Sequence, residues 1–120
     1  MKEMKLGVVE ARFADIIWNN APVSTAELVK ICEKDLKWKR TTTYTVLKRL
    51  SERGLFKNDN SVVVALISRN EFYSMQSEKF IEETFSGSLP AVLAAFTSRK
   101  SLNSEEIAEL RRIVDEYEEG

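Results

Sequence analysis

Histidine is absent from the 120 residues, and cysteine occurs once, as Cys32. Without histidine, no Ser-His-Asp or Cys-His nucleophile pair and no histidine-containing metal site can be assembled. With one cysteine, neither an intrachain disulfide framework nor a Cys-rich metal cluster can form. Glycine (4) and proline (2) are scarce, which argues against a turn-rich β protein and for a mostly helical chain. No apolar run approaches the ~18 residues of a transmembrane helix, so direct membrane binding is not expected. The opening MKEMKLGVVEARF has too short an apolar stretch for a signal peptide. A lone cysteine fits the reducing cytoplasm; Cys32 reads as a small buried hydrophobe, with a redox switch as the sharper alternative. No enzyme and no cofactor is implied.

What remains is the size of one ordinary domain, or two small ones, with 43% hydrophobic and 31% charged residues. Lys plus Arg is 18 and Asp plus Glu is 19, a formal net charge of −1. Taken whole, that argues against a nucleic-acid partner. Divided by position, it changes meaning. Residues 1–68 hold 12 basic and 8 acidic side chains, net +4, and residues 69–120 hold 6 and 11, net −5. Residues 34–57 alone carry net +6. A basic block and an acidic block cancel in the total.

Leu6, Val9, Phe13, Ile16 and Ile17 recur at helical spacing, so a first helix runs to about Asn19-Asn20, before Pro22. Ser24-Thr25-Ala26-Glu27 reads as a capping box opening a second helix with Leu28, Val29, Ile31 and Cys32. A third helix spans Arg40 to Arg53 and is closed by Gly54. The period then changes. Leu55-Phe56-Lys57, a four-residue turn cluster Asn58–Ser61, and Val62 to Ile67 read as a small hairpin. Three helices and then a hairpin is the order of a winged helix-turn-helix domain. From Arg69 helices resume: one over about Asn70–Phe85, one capped by Ser88 with Pro90 in its first turn, and a last one opened by Asn103 with Glu106. The fold class is mainly α with a small β-hairpin, divided into a winged helix domain at 1–68 and a helical domain at 69–120.

On the third helix, Thr42, Thr45 and Arg49 share one stripe, while Thr43, Val46, Leu47 and Leu50 lie on the other. Threonine is a mediocre helix former, so this cluster is an odd choice for stability alone. Its hydroxyl can bond a base edge and its methyl can meet a thymine methyl. Lys39, Arg40, Lys48 and Arg49 supply cations for phosphates. A plainer account makes Thr41 or Thr42 a helix cap, Thr45 a passive surface residue and the cations a solvated face. Past residue 69, Phe80, Phe85, Leu89, Val92, Leu93, Phe96, Ile107, Leu110 and Val114 are more apolar side chains than ~50 residues of short helices can bury. A symmetric second copy solves this; packing back onto the winged domain in a monomer is the alternative.

Taken in order, these pieces resemble the BlaI/MecI/CopY family of bacterial repressors. The likeness rests on Glu10, Ile17-Trp18, Val23 to Leu28, Trp38, Thr41 to Leu50, Arg53-Gly54-Leu55, Phe80-Ile81, Phe85 to Ser88 and Leu102 to Leu110. The resemblance implies a homodimer that binds a palindromic double-stranded DNA operator with TACA/TGTA-type half-sites and blocks transcription. It implies base contacts from Thr42 and Thr45 and a backbone contact from Arg49; Thr41 and Tyr44 stand where some relatives carry Lys and Gln. Three departures follow from the same comparison. Relatives place a Gly-Arg pair at the wing, where this chain has Asn58–Ser61 and only Lys57 as a nearby cation. Antibiotic-responsive relatives are cleaved at an Asn-Phe bond, which is Ala95-Phe96 here, so a membrane sensor-protease partner has one of its two marker residues. Copper-responsive relatives end in Cys-x-Cys, which this chain lacks, and soft Cu(I) needs thiolates. A winged helix used only for protein contacts is the alternative function.

Overall fold

The computed structural model describes residues 5–120; the first four residues of the opening segment lie outside them. In chain order the elements are α1 (Val8–Asn20), β1 (Val23–Ser24), α2 (Thr25–Leu36), α3 (Arg40–Glu52), β2 (Phe56–Asp59), β3 (Val62–Ala65), α4 (Arg69–Phe85), α5 (Leu89–Thr97) and α6 (Ser104–Glu119). The chain divides into two compact units, one ending at Ser77 and one from Glu78 to Gly120. α4 runs through that division.

Several helix ends of the first unit have a local reason. α1 begins where the Glu10 carboxylate accepts the Gly7 amide at 3.1 Å; glycine has no side chain to return the bond. At α2 half of the anticipated capping box forms: Ser24 Oγ accepts from the Glu27 amide at 3.1 Å. Ser24 is at the same time a strand residue, paired with Val62. α2 ends with Lys37 in the left-handed region (φ 59°). α3 ends at Arg53, followed by Gly54 at φ 87°, a conformation in which a Cβ would be strained.

The hairpin is tighter than its sequence suggests. β2 extends through Asp59, so the turn is Asn60-Ser61 alone, with φ of 56° and 67°. Positive φ at both central residues is the two-residue turn whose twist matches the strands, and it displaces the expected four-residue cluster. Sequence also missed a strand. β1 pairs antiparallel with β3, which lies between β1 and β2, and the Thr25 amide donates to Ser61 O at 3.0 Å. The hairpin turn is thereby tied to the start of α2.

The core gathers Phe13, Ala14 and Ile17 of α1, Leu28 and Cys32 of α2, Val46, Leu47 and Leu50 of α3, and Phe56 and Val63 of the sheet. Val9, placed with the core-facing set by spacing, is half exposed near the start of α1. Trp38 packs on Phe13, ring centroids 5.2 Å apart, and Trp18 donates Nε1–H to Ile67 O at 2.9 Å. Phe72 of α4 closes the core with no exposed surface, 5.8 Å from Trp18. Arg69 anchors the start of α4, bonding Asp15 at 3.0 Å and Asn19 at 2.8 Å.

Cys32 is fully buried, and that burial pushes its thiol up to about 11. At pH 8 only about one such thiol in a thousand is ionised. A thiol reagent such as Ellman's is therefore expected to react with the native protein on the order of 100-fold more slowly than with the urea-unfolded chain. Comparable rates would mean that α2 opens freely.

In the second unit, Phe80 and Phe85 meet edge to face at 5.8 Å. α4 then stops at Ser86 and Gly87, both at positive φ. Ser88 Oγ caps α5 by accepting the Ala91 amide at 3.1 Å, as its sequence indicates. Asn103 and Glu106 form the full capping box at α6, with bonds of 2.7 and 3.0 Å. Arg112 bridges Glu109 and Glu116 along α6. No residue of α5 or α6 is buried.

Candidate nucleic-acid interface

α3 is amphipathic in the sense its spacing requires. Thr43, Val46, Leu47 and Leu50 are buried, and Thr41, Thr42, Thr45, Lys48 and Arg49 are exposed. The threonines do not cap the helix, because the N-cap is Lys39 and makes no side-chain bond. They sit inside the first turns, where their intrinsic helix cost is carried without a capping benefit. Thr45 Oγ1 donates back to Thr41 O at 2.9 Å, which leaves its oxygen lone pair as an acceptor and its methyl on the open face.

The positive end of the helix coincides with positive side chains. Lys39 and Arg40 are exposed at the start of α3, whose first turn carries no acidic residue. Amides of an uncapped first turn and adjacent cations favour the same kind of ligand, an anion. Tyr44 is half-buried beneath Arg40, whose guanidinium lies 5.6 Å from the ring centroid. The Thr25 hydroxyl and then Arg40 hold the Tyr44 phenol below its ordinary range. Tyr44 therefore braces Arg40 and the start of α2 and presents less of itself outward than the threonines do.

Between α3 and the hairpin lies an open cleft of about 530 Å³ lined by Tyr44, Lys48, Ser51, Lys57, Asn58 and the apolar Leu47, Phe56 and Leu66. It brings together three of the sequence candidates, Tyr44, Lys48 and Lys57. Lys57 is exposed on β2, and Asp59 is its acidic neighbour on the same strand, so the hairpin offers little net positive charge.

One participant was invisible to sequence spacing. The Glu10 carboxylate receives Arg49 Nη1 at 3.4 Å and lies 3.9 Å from Arg53 Nη1. Its carboxyl is held below the ordinary range, first by the Gly7 amide and further by Arg49 and Arg53, against the opposing pull of partial burial. Arg53 also donates to Lys5 O at 2.7 Å. Glu10 and Arg49 are 39 positions apart, so no local pattern joins them.

The apolar candidates of the second unit fall into two groups. Phe85 and Val92 are partly buried, while Phe80, Leu89, Leu93, Phe96, Ile107, Leu110 and Val114 are exposed. Leu89 is 65% exposed and Phe96 51%, large values for apolar residues on one short helix. The Ala95-Phe96 bond lies within α5, near hydrogen bonds from the Ser98 amide and the Thr97 hydroxyl to Ala94 O. Among the described residues, no group of three or more His, Cys, Asp or Glu side chains is placed to hold a metal ion, and no helix is long and apolar enough to cross a membrane.

The family described as penicillinase repressor matches residues 6–116 of this chain. A penicillinase repressor of Bacillus licheniformis is 26% identical over 112 residues, covering 90% of this chain and 88% of its own. The methicillin resistance regulatory protein MecI of Staphylococcus aureus strain Mu50 is 25% identical over 118 residues, covering 95% and 96%. A penicillinase repressor of Staphylococcus aureus is 26% identical over 119 residues, covering 96% and 94%.

Proposed function

The chain belongs to the penicillinase repressor family, and from that premise we propose that it is a homodimeric repressor that reads a palindromic DNA operator through α3. The observation that carries the proposal is the outer face of α3, where Thr42, Thr45 and Arg49 are exposed beside a start rich in cations. Thr42 and Thr45 meet base edges. Arg49, Lys39, Arg40 and Lys48 meet phosphates, and Lys57 adds the hairpin's share. Phosphate contacts set the register and base contacts set the sequence.

The helical segment over 69–120 pairs the protomers, with the exposed apolar faces of α5 and α6 meeting their symmetric copies. Two copies of α3 then address half-sites ~34–36 Å apart, or a multiple of that. Loss of the pairing releases the operator, because each winged unit alone keeps only half of the contacts. Cleavage at Ala95-Phe96 by a membrane sensor-protease is one such release. It requires α5 to open first, since a helical backbone has its carbonyls and amides engaged internally.

Selection of bound duplexes from a random pool, followed by titration against salt, tests the proposal. The expected result is an inverted-repeat site whose log affinity falls linearly with log salt. Absence of any salt-sensitive binding would instead favour a protein-contact module. Thr45→Ala is expected to lose about 1–3 kcal/mol of discrimination at one base pair of each half-site. Its melting temperature holds or rises, because Ala is the better helix former. Loss of stability with intact discrimination would place Thr45 outside the reading face.

A further inference from the structure

We propose that Glu10 is an internal stand-in for a DNA phosphate: it holds the Arg49 guanidinium in the free protein, and DNA binding exchanges the carboxylate for a backbone phosphate. This rests on the reading of α3 as a DNA-contacting helix.

The carboxylate is fixed from its inner side. The Gly7 amide bonds Oε1 at 3.1 Å, and Arg53, itself tied to Lys5 O at 2.7 Å, approaches the same oxygen. Glu10 and Arg53 side chains are only 22% and 17% exposed. Arg49 is attached from outside. Its side chain is 56% exposed, and Glu10 at 3.4 Å is its sole hydrogen-bond or ion-pair partner among the described residues. One half of the pair is thus anchored to the α1 start, and the other half can leave.

Exposed pairs with one long contact are weak, whereas a guanidinium and a phosphate form short, charge-assisted and often paired hydrogen bonds. Exchange therefore favours the phosphate, but at a cost. Glu10 stays where Gly7 and Arg53 hold it, and the cost is the broken pairing of its charge with Arg49. The charge has no access to base identity, so it weakens binding to every sequence alike. Glu10 is a positioning residue that keeps Arg49 extended along the α1–α3 seam and lowers the sequence-independent part of the affinity.

The test compares wild type, Glu10→Gln, Arg49→Gln and the double variant on a random-sequence duplex, by fluorescence anisotropy between 50 and 200 mM salt. Gln still accepts the Gly7 amide, so the α1 start is preserved. Glu10→Gln is expected to bind roughly 3- to 5-fold tighter. In the Arg49→Gln background the same substitution changes binding less than about twofold. Unchanged or weaker binding by a folded Glu10→Gln protein overturns the proposal, as does an equal gain without Arg49. In the wild-type protein, carbon-detected NMR gives a second readout that needs no variant: the Glu10 carboxyl titrates higher when duplex is bound, because Arg49 has left and a phosphate has arrived. A titration that does not move contradicts the exchange. Wild-type protein that binds no duplex at any salt fails the α3 reading itself, which separates the two failures.

Discussion

Phe72→Ala is expected to destabilise the first unit by about 3–5 kcal/mol. Phe72 has no exposed surface and sits within 5.8 Å of Trp18 and 5.2 Å of Tyr73, ring to ring. Trp18 is itself held by its bond to Ile67 O and by Phe56 at 5.4 Å. Neighbours fixed in this way cannot collapse into the space left by the ring, so the cavity term adds to the lost burial. For a unit of this size, each kcal/mol moves the melting temperature by about 4–8 °C, so a drop above ~12 °C is expected. Urea unfolding followed by tryptophan fluorescence gives the free energy directly. Phe80→Ala, whose ring is half exposed about two turns further along α4, serves as the contrast and is expected to leave that first transition nearly unmoved. A cost below ~1 kcal/mol for Phe72→Ala would mean that α4 does not close this core.

The same residue shows where sequence reading stops. The helices, their order and most of their ends were legible because periodicity and caps are local: Ser88, Asn103 and Gly54 act where their spacing put them. The outward face of α3 was legible for the same reason, since a 3.6-residue period assigns sides. Periodicity does not say which surface an apolar stripe will meet. Phe72 and Tyr73 lie on a helix whose later residues belong to another unit, and only the fold shows that they pack beside Trp18. β1 was not legible because two residues, Val23 and Ser24, form it, and their partners Val63 and Val62 are about forty positions away. The Glu10–Arg49 pair escaped in the same way. Asn60-Ser61 was hidden in a polar cluster, because the composition of Asn58–Ser61 permits several turns and only the strand register selects the two-residue one.

Leu93→Glu is expected to convert the proposed dimer to a monomer and to weaken binding to an inverted-repeat duplex by roughly 10²- to 10⁴-fold. Leu93 is 41% exposed on α5, among Leu89 and Phe96 on a helix with no buried residue. If that surface meets its own copy, one substitution places two carboxylates in a single interface. Each loses water without gaining a partner, and an unpaired charge in that setting outweighs the contacts it interrupts. The loss in DNA affinity then comes from linkage rather than contact. Two tethered winged units bind the second half-site at high effective concentration, and separated ones do not. The residual affinity of the variant should match that of wild type for a single half-site, with about half the salt slope. Its first-unit melting transition should be retained, since Leu93 lies outside that core. Val8→Glu, on an apolar residue that is 81% exposed in the first unit, controls for the added charge and should leave the mass unchanged. Sedimentation velocity measures the mass and anisotropy the affinity. A Leu93→Glu chain that still sediments as a dimer would put the interface elsewhere, and a monomer with undiminished operator affinity would remove pairing from the mechanism.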